Sequence, residues 1–228
     1  MISVIMSAYN DENSVKLAID SILNQNYQDF EFLIMDDFST DNTFEICKDY
    51  SKLDERIIVY RNDTNLGLTK SLNKLLEFAK RDYIARQDSD DISLSERFNK
   101  QINFISENRL DGSTTRAIVK NSLKVTPNKS FYFPKKLIMK IKNSFIHGSL
   151  MLSRNSLESI GGYNEKFYYA QDYKLLSDLL SKNFKLKILK EEQYILNLSD
   201  NISTKFKDKQ KYYADCVRKG INPIENMK

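Results

Sequence analysis

Apolar residues in the first hundred positions fall into two kinds of pattern. Four short runs are apolar at nearly every position: "SVIMSA" (Ser3–Ala8), "FEFLIMDD" (Phe30–Asp37), "RIIVY" (Arg56–Tyr60) and "DYIAR" (Asp82–Arg86). Runs of this length with no polar face are expected of parallel strands covered on both sides. Between them the apolar positions recur at helical spacing. One stripe holds Val15, Ala18, Ile19, Ile22 and Leu23; a second begins at Phe44 and Cys47; a third holds Leu68, Leu72, Leu75, Leu76 and Ala79. A fourth helix is expected to carry Leu94, Phe98, Ile102 and Ile105, opened by Ser93 with Glu96 three residues on, in the form of a capping box. Strand–helix units repeated at this length predict an α/β fold, a Rossmann-like, mostly parallel sheet with helices on both faces, over residues 1–107.

The second half is less regular. Gly112, Pro127 and Pro134 punctuate residues 108–134, which read as loops with one strand near Arg116–Lys120. "KKLIMKIK" (Lys135–Lys142) is a basic amphipathic segment and "FIHGSLML" (Phe145–Leu152) is strand-like. A helix is expected around Tyr173, Leu176, Leu179 and Leu180, then two strands, "FKLKIL" (Phe184–Leu189) and "QYILNL" (Gln193–Leu198).

A chain of 228 residues with 41% hydrophobic and 29% charged residues fits one well-cored domain. No run approaches the ~20 apolar residues of a membrane span. The opening "MISVIMSAYN" reads as a core strand without a basic leader, so no signal peptide is expected. Cys47 and Cys216 lack metal-type spacing and read as reduced thiols, which fits a cytoplasmic setting. Residues 201–228 carry seven Lys/Arg against three Asp/Glu, equal to the net +4 of the entire chain. That tail is either a solvated terminus or a contact for an anionic partner such as a membrane surface. Nucleic acid is not expected, because no recognised binding motif accompanies the charge.

Ligands of open parallel sheets bind at the carboxyl ends of the strands. Here those ends carry Ser7, Tyr9 and Asn10, then Asp36 and Asp37, then Asp88, Ser89, Asp90 and Asp91. The glycine-rich phosphate loops are missing, and Gly67 is the only glycine in the first hundred residues. A nucleotide bound at this edge therefore needs another counter-charge, and Mg²⁺ or Mn²⁺ held by Asp88 and Asp90 would supply it. The competing reading is that these aspartates cap the following helix; Asp91 leans that way.

The stretches "SVIMSAYNDENSVKLAIDSILNQNYQDFEFLIMDDFSTDNT", "NLGLTKSLN", "YIARQDSDDISLSERFNKQ" and "HGSLMLSRNSLESIGGYNEKFYYAQDYKLL" resemble, in order, the inverting family 2 glycosyltransferases of GT-A fold. The resemblance covers residues 1–200 and implies a nucleotide-sugar-binding half (1–107), an acceptor-binding half (108–200) and a basic tail (201–228). It implies that Ser7 and Asn10 border the nucleoside, that Asp37 meets the base with Asp36 in support, and that Gly67 passes close to the nucleotide. Asp88 and Asp90 match the D-x-D ends that meet ribose, diphosphate and metal, and Asp172 matches the catalytic base. A base there fits the chemistry, since the acceptor hydroxyl must lose a proton as it attacks, and a helix start favours negative charge. Lys70 and Arg86 either face phosphate or make surface ion pairs, and His147, the only histidine, is a candidate for substrate binding. Phe38 and Asn42 stand where the family commonly has glycine, Gln171 replaces an acidic residue before the base, and "NLSDNIS" (197–203) lacks the usual Arg and His. The implied donor is a UDP-hexose or UDP-N-acetylhexosamine and the implied acceptor a growing surface glycan, free or lipid-linked, at the inner membrane face. A nucleotide-sugar-binding subunit without turnover, or a nucleotidyltransferase, are the rival readings.

Overall fold

The computed structural model describes residues 1–198 and 206–224. Strands β1 (Ile2–Ala8), β2 (Phe30–Asp36), β3 (Ile57–Arg61) and β4 (Tyr83–Arg86) alternate with helices α1 (Val15–Leu23), α2 (Thr43–Leu53) and α3 (Leu68–Phe78). They form a parallel block in the order β3-β2-β1-β4. The pleat sends alternate residues to opposite faces. Ile5, Leu33 and Met35 enter the core under α3, while Val4, Met6, Phe32 and Ile34 enter the core under α1 and α2. Both faces are dry, which is why these strands read as unbroken apolar runs. Each such buried side chain contributes ~1.5–3 kcal/mol before entropy is counted.

Beyond β4 the sheet becomes mixed. It continues through β8 (Met151–Ser153), β6 (Gly112–Val119), β9 (Leu186–Leu196) and β5 (Ile92–Ser93), with β7 (Val125–Thr126) folded back on β6. β8 runs antiparallel to both β4 and β6, whereas β6 and β9 run parallel through a register shift near Arg116. Helices α4 (Arg97–Asn108), α5 (Lys135–Ile138), α6 (Arg154–Ile160), α7 (Gln171–Ser181) and α8 (Lys207–Lys219) complete the layers.

Several sequence expectations change. Ser93 does not open a helix: it lies in β5, paired with Tyr194, and its hydroxyl bonds Gln87 and Arg97 instead of a helix N–H. α4 starts at Arg97, so Leu94 lies outside it. The strand expected at Arg116–Lys120 begins at Gly112, because its Ser and Thr side chains are buried. "FIHGSLML" is a strand only from Met151, preceded by a single tight turn at His147–Ser149. The two final strands are one, since Lys190–Glu192 continues the ladder with an irregularity. "KKLIMKIK" is helical for four residues only. The expected tail is, over residues 207–219, a docked helix that buries Tyr213, Cys216 and Val217 in the core beside α7. Residues 199–203 of "NLSDNIS" lie outside the described residues. Both cysteines are free and buried, and burial pushes the Cys47 thiol up to about 12.

Candidate active site

The carboxyl ends of β1, β2 and β4 open onto one edge of the sheet, and the chain there is bound loop to loop. Asn10 takes positive φ (54°) just past β1, and its Oδ1 accepts the Thr40 N–H at 2.9 Å. Its own N–H donates to Ser39 Oγ at 3.0 Å, and the Asp11 N–H donates to Thr43 Oγ1 at 2.7 Å. Ser7 is buried beneath this loop.

Asp36 is fully buried at the end of β2, where Oδ2 takes Arg61 Nε at 3.1 Å and the Ser39 N–H at 3.2 Å. Asp37 accepts three hydrogen bonds: from the Leu66 N–H at 2.9 Å, the Gly67 N–H at 2.8 Å and Asn62 Nδ2 at 2.8 Å. Its carboxylate thus shapes the loop that leads into α3. Gly67 sits at φ 83°, and a Cβ there would lie 2.6 Å from the Tyr168 ring. Conformation and space both demand glycine. Phe38 also has positive φ (67°), a cost for a bulky residue, and its exposed ring lies 5.7 Å from the Arg61 guanidinium. Asn42, in contrast, has an ordinary φ of −79°.

Past β4 the residues "RQDSDD" fold over two buried arginines. Arg86 makes no surface ion pair: it is buried, and it bonds Asp88, the Gln87 carbonyl and, at 3.4 Å, the Ile5 carbonyl. Arg97 is wholly buried and bonds only neutral oxygens, those of Gln101, Gln87, Ser93 and the Arg86 carbonyl. Burial lowers it to about 10. The Ser89 hydroxyl donates to Asp11, tying this loop to the end of β1. Burial first, then Asp88 and Asp11, push Asp90 up to about 7. Asp91 does not cap α4; it is buried and accepts the Asn197 N–H at 2.6 Å, and burial followed by Asp88 and Asp90 raises it well above the usual carboxylate range.

The second half of the chain comes up to the same edge. The turn at His147–Ser149 brings Gly148 against Asp88, where a Cβ would lie 2.6 Å from Oδ2 and 2.2 Å from the Tyr194 hydroxyl. His147 Nε2 bonds the Tyr163 hydroxyl at 2.8 Å, and burial, followed by the Arg86 charge, lowers this imidazole to about 4. Asp172 stands in the first turn of α7 and accepts Asn143 Nδ2 at 2.7 Å. The lowering of His147 is opposed by the negative charges of Asp88 and Asp172. Lys70 is exposed on α3 and touches none of these groups among the described residues.

Among the described residues no three His, Cys, Asp or Glu side chains gather as a self-sufficient metal site. The donor chemistry nonetheless fits a hard divalent cation in part. Asp88 and Asp90 offer carboxylate oxygens, and a cation beside them would offset the burial and the neighbouring negative charges that raise Asp90. Further ligands to such a cation would have to come from water or a bound substrate. Sequence reasoning missed Asp11, Arg97, Tyr163 and Asn143. Arg97 and Gln101 were visible as polar residues at i, i+4 on the buried face of α4, beside Phe98 and Ile105.

A chain with similar sequence is an uncharacterized glycosyltransferase of Methanocaldococcus jannaschii, 31% identical over 94% of this chain and 77% of that one. The O-antigen biosynthesis glycosyltransferase WbnJ of Escherichia coli is 35% identical over 80% of this chain and 72% of its own length. WfaP of Escherichia coli, a UDP-Glc:alpha-D-GlcNAc-diphosphoundecaprenol beta-1,3-glucosyltransferase, is 28% identical over 91% and 82%. S. aureus TarS 1–349 in complex with UDP-GlcNAc superposes with a TM-score of 0.76 at 22% identity, over 90% of this chain and 60% of that one. The mannosyltransferase PcManGT of Pyrobaculum calidifontis, solved with GDP-Man and Mn²⁺, gives 0.76 at 16% identity, over 97% and 65%. At those identities the two structures speak for the fold, which is GT-A. The chain spans 41% of a longer TarS chain. The family model for glycosyl transferase family 2 matches residues 3–161, more than half of the sequence, and the chain belongs to that family.

Proposed function

We propose that this glycosyltransferase moves a hexose or N-acetylhexosamine, with inversion, from a nucleotide sugar to a hydroxyl of a growing surface glycan. The observation that carries this reading is that one short stretch of chain serves both carboxylates: Gly148 packs against Asp88, and Asn143, five residues earlier, bonds Asp172. One carboxylate has a place for a proton beside a site suited to a diphosphate. UDP is the proposed nucleotide, in line with the donor in the name of WfaP and the ligand of TarS. A lipid-linked acceptor is proposed from the diphosphoundecaprenol in the WfaP name, which sets the reaction at the inner face of the membrane.

In the proposed reaction Asp172 accepts the proton of the acceptor hydroxyl as that oxygen attacks the anomeric carbon. The bond from that carbon to the diphosphate oxygen breaks in the same displacement, and the nucleoside diphosphate leaves. Asn143 fixes the Asp172 carboxylate, and the dipole of α7 supports its charge. A divalent cation at Asp88 and Asp90, Mn²⁺ or Mg²⁺, would stabilise the charge growing on the leaving diphosphate. Arg86 holds Asp88 from below. The nucleoside lies along Ser7, Asn10 and Gly67 in this reading. Asp36 and Asp37 act by holding the loops around the base, and Lys70 lies near the donor as an exposed cation. His147, neutral and bonded to Tyr163, lines the passage between donor and acceptor.

The test is a screen of UDP-, GDP- and dTDP-sugars for metal-dependent thermal stabilisation and slow hydrolysis, followed by Asp172→Asn. Donor stabilisation is expected to survive the substitution while transfer falls about 10³-fold or more. Stabilisation by a donor with no turnover in the unaltered protein would instead make it a binding subunit.

A further inference from the structure

Residues 112–157 contain no aspartate or glutamate and nine lysines and arginines. Seven of these, Lys120, Lys124, Lys129, Lys135, Lys136, Lys140 and Lys142, make no ion pair among the described residues. Within the same segment large apolar side chains point outward: Tyr132 is 74% exposed, Phe133 58%, Leu137 59% and Ile141 67%. A soluble face gains nothing from four such residues in ten, and basic residues interleaved with aromatic and aliphatic ones suit the boundary between headgroups and acyl chains.

The segment is not loosely hung. Lys135 Nζ folds back onto the Ser130 carbonyl at 3.2 Å and that of Phe131, and Met139 is buried. The Tyr173 hydroxyl, in the first turn of α7, donates to the Met139 carbonyl. Arg218, at the end of α8, donates to the Ile141 carbonyl at 3.1 Å. Two residues after Ile141, Asn143 bonds Asp172. The backbone is therefore pinned to the two helices, and its outward apolar residues stand next in the chain to the group that holds the proposed base.

We propose that Tyr132, Phe133, Leu137 and Ile141, with the surrounding lysines, form a docking surface for an anionic lipid bilayer. The surface takes in the basic amphipathic segment Lys135–Lys142 singled out in the sequence, of which α5 is one turn, and leaves out the expected basic tail, whose residues 207–219 form α8 packed on the core. Resting on the proposed function, it also explains how a lipid-linked acceptor reaches Asp172: the bilayer interface and the base are brought together by one short stretch of chain.

The purified chain is to be sedimented with phosphatidylcholine vesicles, and with vesicles containing about one-third phosphatidylglycerol, at low and high salt. Binding is expected to the anionic vesicles only, weakened by salt. The double substitution Leu137→Ser and Ile141→Ser is expected to reduce it at least about tenfold, and Lys136→Gln with Lys140→Gln severalfold. Leu53→Ser, at an exposed leucine on α2, is expected to change nothing. The proposal is overturned if the unaltered chain binds neither vesicle, if the double variant binds as well as the unaltered chain, or if Leu53→Ser weakens binding as much. It is also overturned if the double variant instead turns a dimer into a monomer, which would assign the surface to a second copy. Hydrolysis of a soluble nucleotide sugar is expected to persist in the double variant. Its absence from the unaltered chain would count against the proposed reaction and leave the vesicle result standing.

Discussion

The two acidic sets at the sheet edge are built on opposite plans. Asp37, beyond β2, is met by three donors, and Asp36 beside it by Arg61 and a backbone N–H. Asp88, Asp90 and Asp91, beyond β4, are short of positive charge: Arg86 reaches Asp88, while Asp90 and Asp91 are raised by burial and by their neighbours. A satisfied carboxylate holds loops in place with or without a ligand. An unsatisfied one stores a demand for positive charge that a substrate complex can meet. In the proposed reaction the contrast separates scaffold from chemistry, although both sets look alike as sequence.

Substitutions on either side sharpen the contrast. The largest effect is expected from Asp90→Asn: transfer falls about 10²–10³-fold, or about 3–4 kcal/mol of barrier, while the ligand-free protein unfolds at the same or a higher denaturant concentration. An earlier unfolding midpoint would place Asp90 with the scaffold and break the comparison. Asp37→Ala should do the reverse to stability. Three donors lose their acceptor, so a loss of about 3 kcal/mol is expected in equilibrium denaturation. If stability is unchanged, Asp37 is not the strut that its hydrogen bonds describe.

A smaller effect concerns His147, on the turn that packs against Asp88. Its folded value of about 4 is below the ordinary 6.5, so the unfolded chain binds the proton more tightly. Its contribution to stability is then complete above pH ~6.5 and is lost as the pH falls toward 4. Relative to the unaltered chain, His147→Gln should flatten the pH dependence in that window by about 1–3 kcal/mol, read from denaturation midpoints at several pH values. Parallel pH profiles for the two proteins would refute this. The smallest effect is at Phe38. Glycine there removes the cost of φ 67° and should leave stability level or raise it by up to about 1 kcal/mol. A clear loss would mean that the ring's contact with Arg61 matters more than the backbone.

How much of this was legible in the sequence follows from how each signal arises. β1 to β4 were readable because burial on both faces leaves no polar position to interrupt the run. β6 was missed at its start because "GSTT" is small and polar; its burial depends on distant partners, with Gln101 and Ser149 bonding Ser113 and Thr115. Ser93 and Glu96 matched a local capping pattern, but pairing with β9, about a hundred residues later, overrode it. The D-x-D pair and Asp172 stood out through the resemblance. Arg86 read equally as a phosphate contact or a surface cation, because nothing in the local sequence reveals that it is buried beside β8. Arg97 gave only a faint trace, a charge on an otherwise apolar helix face. Polar groups buried by tertiary contacts are the ones that sequence patterns describe least well.

Gly67 and Gly148 are where the two halves of the chain touch with nothing but backbone on one side. At Gly67 a single methyl group would collide with Tyr168 of the second half, and at Gly148 with Asp88 of the first half and with Tyr194. In the proposed reading, the aperture between donor and acceptor sides is therefore gauged by two missing atoms. In the proposed reaction, alanine at Gly148 would act as a shim that widens the gap and moves Asp172 away from the sugar without altering any group that takes part.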